Sequence, residues 1–161
     1  MRNVVRSVLA FAAFVIGSTA LASGHVMVSD PYVRAVPPGQ PNSGAFMTLM
    51  NHGDQARSLV EAKSPAAKVV ELHTHTMEDG MMKMRRIDKI DIPAQGSTVL
   101  EPGGLHVMLI GLTQDLKMGD KVSLTLVFAN GDEQQVEAPV RKIQMMQMNH
   151  DMPMKHDMSG H

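Results

Sequence analysis

The sequence predicts an all-β domain, an antiparallel β-sandwich or Greek-key barrel. Three observations predict it. Residues 25–135 break into short apolar runs separated by Gly, Pro, Asn and Asp turn signals, which is how seven to nine short strands read. None of these runs carries a convincing amphipathic helical period. Aromatic residues make up only 3% of the chain, so Leu, Val, Ile and Met must fill the core between the sheets.

Taken in order, residues 25–36 are strand-like but interrupted by Pro31 and closed by Pro37-Pro38-Gly39, which marks an edge strand or two short ones. Residues 43–51 place Ala45, Met47 and Leu49 on one face and end in a His52-Gly53-Asp54 turn; Met47 and Met50 read as packing residues. Strands follow at 58–62 and 68–77, parted by Ser64-Pro65. Asp79-Gly80 has the chemistry of a two-residue hairpin loop into the Met82-Lys83-Met84 segment. Ile92-Pro93 and Gly96 break the chain before 98–101, and Pro102-Gly103-Gly104 delivers it into 105–112. There the apolar run through Val107, Leu109 and Ile110 predicts burial on both faces, with His106 and Met108 sharing one of them. Val122, Leu124, Leu126 and Phe128 alternate with polar residues, and Asn130-Gly131 turns the chain into 134–140.

Residues 1–22 read as a secretory signal peptide: Arg2 and Arg6 form the basic region, 8–16 is a short apolar run, and Ala20-Leu21-Ala22 is the cleavage site. That run is short for a bilayer and no later one approaches the ~20 apolar residues a spanning helix needs, so an exported, periplasmic protein without a transmembrane segment is expected. Removing the leader leaves 13 basic residues against 16 acidic ones, a formal charge of −3, which offers no footprint for nucleic acid or anionic membrane. With no cysteine, no disulfide framework supports the fold, and any soft-metal site must take its sulfur from methionine.

The chemistry concentrates between positions 73 and 108. Alternation along a strand puts His73, His75 and Met77 on one face, and does the same for Met82 with Met84 and for His106 with Met108. If Asp79-Gly80 is the hairpin loop, Met77 faces Met82, His75 faces Met84, and His73 becomes the diagonal neighbour of Met84, within reach of a shared ion. Imidazole with thioether suits copper, above all Cu(I); zinc sites are usually built from cysteine, histidine and carboxylate. One methionine alone is more often core filler; the set of ladders is not explained that way.

Residues 141–161 differ in kind. They carry six of the 16 methionines and three of the eight histidines, repeat His-Asp-Met at 150–152 and 156–158, and lack β-branched and aromatic residues after Ile143. A disordered, Met/His-rich extension is expected, with His150, Met152, Met154, His156, Met158 and His161 as candidate donors for Cu(II), for Cu(I), or for both. The organisation is then 1–22 signal peptide, 23–140 β-domain and 141–161 extension. Cleavage after Ala22 would also set His25 third from a free amine, an arrangement that can wrap Cu(II) or Ni(II) in a square plane.

PYVRAVPPG, ELHTHTMEDGMMKMR and LEPGGLHVMLIGLTQDLKMGDKVSLTLVF resemble the periplasmic copper chaperone family PCu(A)C across roughly 25–140. The family's motif is a His, ten residues, a Met, twenty-one residues, then His-x-Met; His73, Met84, His106 and Met108 stand at both of those spacings. The resemblance implies a cupredoxin-like fold that binds one Cu(I) near its surface through those four residues and delivers it to the dinuclear copper site of cytochrome c oxidase. The partner would be the oxidase subunit bearing that site, or its assembly factors. The resemblance selects His73, although the hairpin leaves His75 opposite Met84, either turned aside or part of a second site with Met77.

Two imidazoles and two thioethers make a low-charge ligand set that favours Cu(I) over Cu(II). No open coordination position or general base is evident, so no enzymatic activity is expected, and the thiolate of a blue-copper carrier is absent. A copper-sequestering resistance protein would use the same donors without passing the metal on. A copper-dependent redox enzyme is the more distant alternative.

Overall fold

The computed structural model describes residues 25–143, so the leader and residues 144–161, with all six candidate donors of the extension, lie outside the described residues. Those described contain ten strands and no helix: β1 (Val26–Arg34), β2 (Asn42–Asn51), β3 (Arg57–Lys63), β4 (Ala67–Glu78), β5 (Met81–Ile87), β6 (Ile90–Ile92), β7 (Gly96–Leu100), β8 (His106–Leu112), β9 (Lys121–Phe128) and β10 (Glu133–Arg141). The all-β expectation holds, and no described helix is long and apolar enough to cross a membrane. The strand beyond the expected range is β6, three residues with Asp91 at its centre, too short to show a period.

The strands pair in the order β5-β4-β8-β2-β1-β10-β9-β3-β6. This path does not close. It folds over, so that β3 packs against β4 and β6 against β7, with the core between the two layers. Strand β2 is the hub. One edge runs along β1, while the other serves β8 through Asn42–Ala45 and then β7 through Met47–Asn51.

Two details depart from the antiparallel, edge-strand expectation. Strand β1 is interior, between β2 and β10, because Pro31 falls at the bulge between Ser29 and Tyr32, where no regular ladder bond is required of it. Asp30 takes a φ of 45° at that bulge. The β1–β10 pair is parallel, joining Val33 to Val140 and Arg34 to Arg141, so the first strand closes against the last. A run broken by proline gives no sign of such a distant partner.

The core is aliphatic: Leu49, Leu59, Ile90, Ile92, Leu109 and Leu124 are among the fully buried side chains. Met47 is buried, as a packing residue should be. Among the described residues the one buried side-chain amide, Asn51, is satisfied three ways, donating to the Gln55 and Pro93 carbonyls and accepting from Gly53 N–H. His25 is exposed at the start of β1.

Because Leu109 is wholly enclosed and close-packed, Leu109→Ala should cost about 2–5 kcal/mol in chemical denaturation, whereas the volume-conserving Met47→Leu should cost less than about 1.5 kcal/mol.

Candidate metal centre

The centre is positioned by core residues that carry none of its chemistry. On β8, Val107 and Leu109 are fully buried, and alternation throws His106 and Met108 to the opposite face. Val107 pairs with Ala45 on β2 and Leu72 on β4, a row of core side chains across three strands. The next rows therefore pair His106 with His73, and Met108 with Glu71 and Gly44. Asp79 and Gly80 form the two-residue loop with φ values of 51° and 76°, the pair of positive values that a type I′ turn requires. The hairpin register follows: His75 lies opposite Met84 and Met77 opposite Met82.

All seven of the expected donors in this region share one face. The His73 and His106 rings are 5.8 Å apart, and those of His75 and His106 5.2 Å. An open cleft is lined by Met84, His106 and Met108 together with His75, Phe46 and Gly103. His73 is not among the cleft's lining residues; it sits beside His106, its side chain 13% exposed. Among the described residues no three His, Asp or Glu side chains converge as a metal cluster, while Met84 and Met108 stand on the same face as the histidines.

Hydrogen bonding decides which ring nitrogens are free. Glu71, whose carboxyl is held below its usual range chiefly by the His73 hydrogen bond, is an acceptor only, so His73 Nε2–H donates to its Oε2 at 2.8 Å. That leaves His73 Nδ1 with its lone pair, buried and with no hydrogen-bond partner. His106 Nδ1–H donates to the Gly104 carbonyl at 3.1 Å, leaving Nε2 free. Orienting a ligand imidazole through its second nitrogen is the usual support for a metal-bound histidine. Gly44 supplies the floor: a Cβ there would meet the Phe46 ring at 3.1 Å, so its absence lets that ring lie back along β2, 6.1 Å from the His106 ring.

Glu71, Gly104 and Phe46 were not among the candidates drawn from sequence. Glu71 alone carried a signal, standing two residues before His73 on the same strand face.

The family model described as “Putative lipoprotein LpqE-like” matches residues 26–140. The chain belongs to the LpqE-like family. A relative from Leifsonia xyli subsp. xyli, named “Putative lipoprotein Lxx21020”, is 36% identical over 117 residues, 72% of this chain and 69% of that protein. Among solved structures, the LpqE-like chain is similar to the Cu(I) form of DR1885 from Deinococcus radiodurans, with 39% identity, a TM-score of 0.62, and coverage of 78% of this chain and 85% of that one. It is also similar to the copper-bound PCuAC domain of PmoF2, with 26% identity, a TM-score of 0.63, and coverage of 74% and 95%. These likenesses bear out the cupredoxin-like fold and place this LpqE-like chain beside copper-binding domains.

Burial holds His106 below the ordinary imidazole range, against the opposing pull of the Gly104 carbonyl, and the nearby His75 and His73 push the same way as burial. The unfolded chain therefore takes up a proton here before the folded one does. The stability that the neutral ring supports is present above the unfolded value of 6.5 and is lost as pH falls through the depressed folded value. The urea midpoint of the apo protein should drop as pH is lowered below 6.5, and the drop should be shallower in His106→Gln.

Proposed function

We propose that this protein is an exported, periplasmic copper chaperone. In this reading His73 Nδ1, His106 Nε2 and the thioethers of Met84 and Met108 hold one Cu(I), which is cargo. The observation that carries it is the pair of cross-strand imidazoles whose other nitrogens are tied to Glu71 and Gly104, leaving one lone pair each on the sheet face that also bears Met84 and Met108. The set is neutral and soft, which favours Cu(I). Its methionines stand at an open cleft, where an acceptor can replace ligands one at a time.

The motif spacing supports a further step, delivery to the dinuclear copper site of cytochrome c oxidase. The likeness to a Cu(I)-bound and a copper-bound domain supports the choice of metal. The lipoprotein names of the family and of the Leifsonia relative accord with export. We assign residues 150–161 an additional copper-binding role on their His and Met content.

Anaerobic Cu(I) titration tests the core. Met84→Leu or Met108→Leu should weaken Cu(I) binding at least tenfold with the fold intact, and X-ray absorption of the loaded protein should show mixed N and S ligation. Unchanged affinity in His73→Ala plus Met108→Leu would sink the assignment. Transfer to the apo copper domain of the oxidase separates a chaperone from a protein that only sequesters.

The extension makes its own prediction: the full chain should bind at least one more copper than a chain ending at Val140, and equal stoichiometry refutes the added role.

A further inference from the structure

We propose that the β4–β5 hairpin carries a second soft-metal subsite, formed by His75, Met77 and Met82, which takes Cu(I) or Ag(I) outside the core four. The choice of ion rests on the copper reading above; the donors are separate from it.

Register places these donors together. Met77 and Met82 are direct cross-strand partners, and His75 follows two residues before Met77 on the same face of β4. Side chains directly opposite on neighbouring strands start roughly 5 Å apart at Cβ, so two thioethers and an imidazole on adjacent rows can converge on one ion. The Met82 methyl leans toward the cleft: a Cβ added to Gly103 would stand 3.7 Å from Met82 Cε. His75 Nδ1 lies 3.4 Å from the Gly104 carbonyl, so a neutral ring that donates there keeps its lone pair on Nε2.

Packing does not account for these residues. Met77 is 70% exposed and Met82 57%, whereas Met47, which does fill the core, is 2% exposed. Two large thioethers facing each other in water contribute little burial to the fold. Glu78, next to Met77, projects from the other face of the hairpin and is engaged by Arg85 and Lys83, so it is not offered to an ion on the donor face. One nitrogen and two sulfurs suit a low-coordinate monovalent ion. Met84, directly opposite His75, adjoins both donor sets, so copper can pass between them by ligand exchange with no change of oxidation state.

The test uses the full chain labelled with ¹³C at methionine methyls and titrated with Ag(I), a redox-inert monovalent ion, then with Cu(I) under anaerobic conditions. The Met77 and Met82 methyl signals should shift together in one step, separate from that of Met108. Met77→Leu should cut the Met82 shift at least threefold, Met82→Leu should do the same to Met77, and both should leave the Met108 response in place. The shared step should persist in His106→Ala plus Met108→Leu. Met77 and Met82 signals that stay still in the unmodified protein, or that move independently in the single variants, overturn the subsite. If they stay still while Met84 and Met108 respond, only this inference fails. If Met84 and Met108 are also silent, the core copper reading fails with it.

Discussion

The centre depends on the register of β8 between β2 and β4. Val107 and Leu109 bury their side chains completely, and with a side-chain period of two that burial assigns His106 and Met108 to the opposite face. A slip of one residue would drive an imidazole and a thioether into the aliphatic core and expose two branched side chains. The hydrophobic effect of residues that never touch a metal therefore fixes where the donors stand. The same row sets the partner strand, because Leu72 opposite Val107 is what brings His73 opposite His106.

Position alone does not make a ligand; an available lone pair does. His73 and His106 solve this in different ways. An ionised carboxylate can only accept, so Glu71 fixes the tautomer of His73 and leaves Nδ1 bare in a buried place. A backbone carbonyl does the same for His106, and burial adds a bias toward the neutral ring. A buried nitrogen without a hydrogen bond costs free energy in the apo protein, commonly about 1–3 kcal/mol. Under the proposed Cu(I) ligation, coordination removes that cost, so part of the affinity would be prepared by the fold itself.

Much of this was legible in the sequence because it rests on local rules. Asp79-Gly80 announces its turn through the residues that tolerate positive φ, and the turn then dictates that His75 meets Met84 and Met77 meets Met82. Strand β8 was legible from its apolar run. The parallel closure of β1 on β10 was not, since it joins residues more than a hundred positions apart and covers only two pairs. Nor was the contrast between His73 and His75. Alternation gives them the same face, and only the acceptors around each ring, Glu71 for one and the Gly104 carbonyl for the other, distinguish them.

Exposure along the donor face falls steadily from the hairpin tip inward: Met77 70%, Met82 57%, Met84 45%, then His106 at 3%. Thioethers bind through single weak bonds and need no deprotonation, so they suit the outer positions, where an incoming ion must shed ligands and a departing one must be surrendered. Imidazoles held by Glu71 and Gly104 suit the inner ones, where orientation is fixed and water is scarce. A protein that only stored copper would gain by burying its sulfurs and closing the site. In the proposed site the sulfurs are at the rim and the anchored nitrogens lie behind them, an order that under that reading favours exchange at the surface over permanent retention.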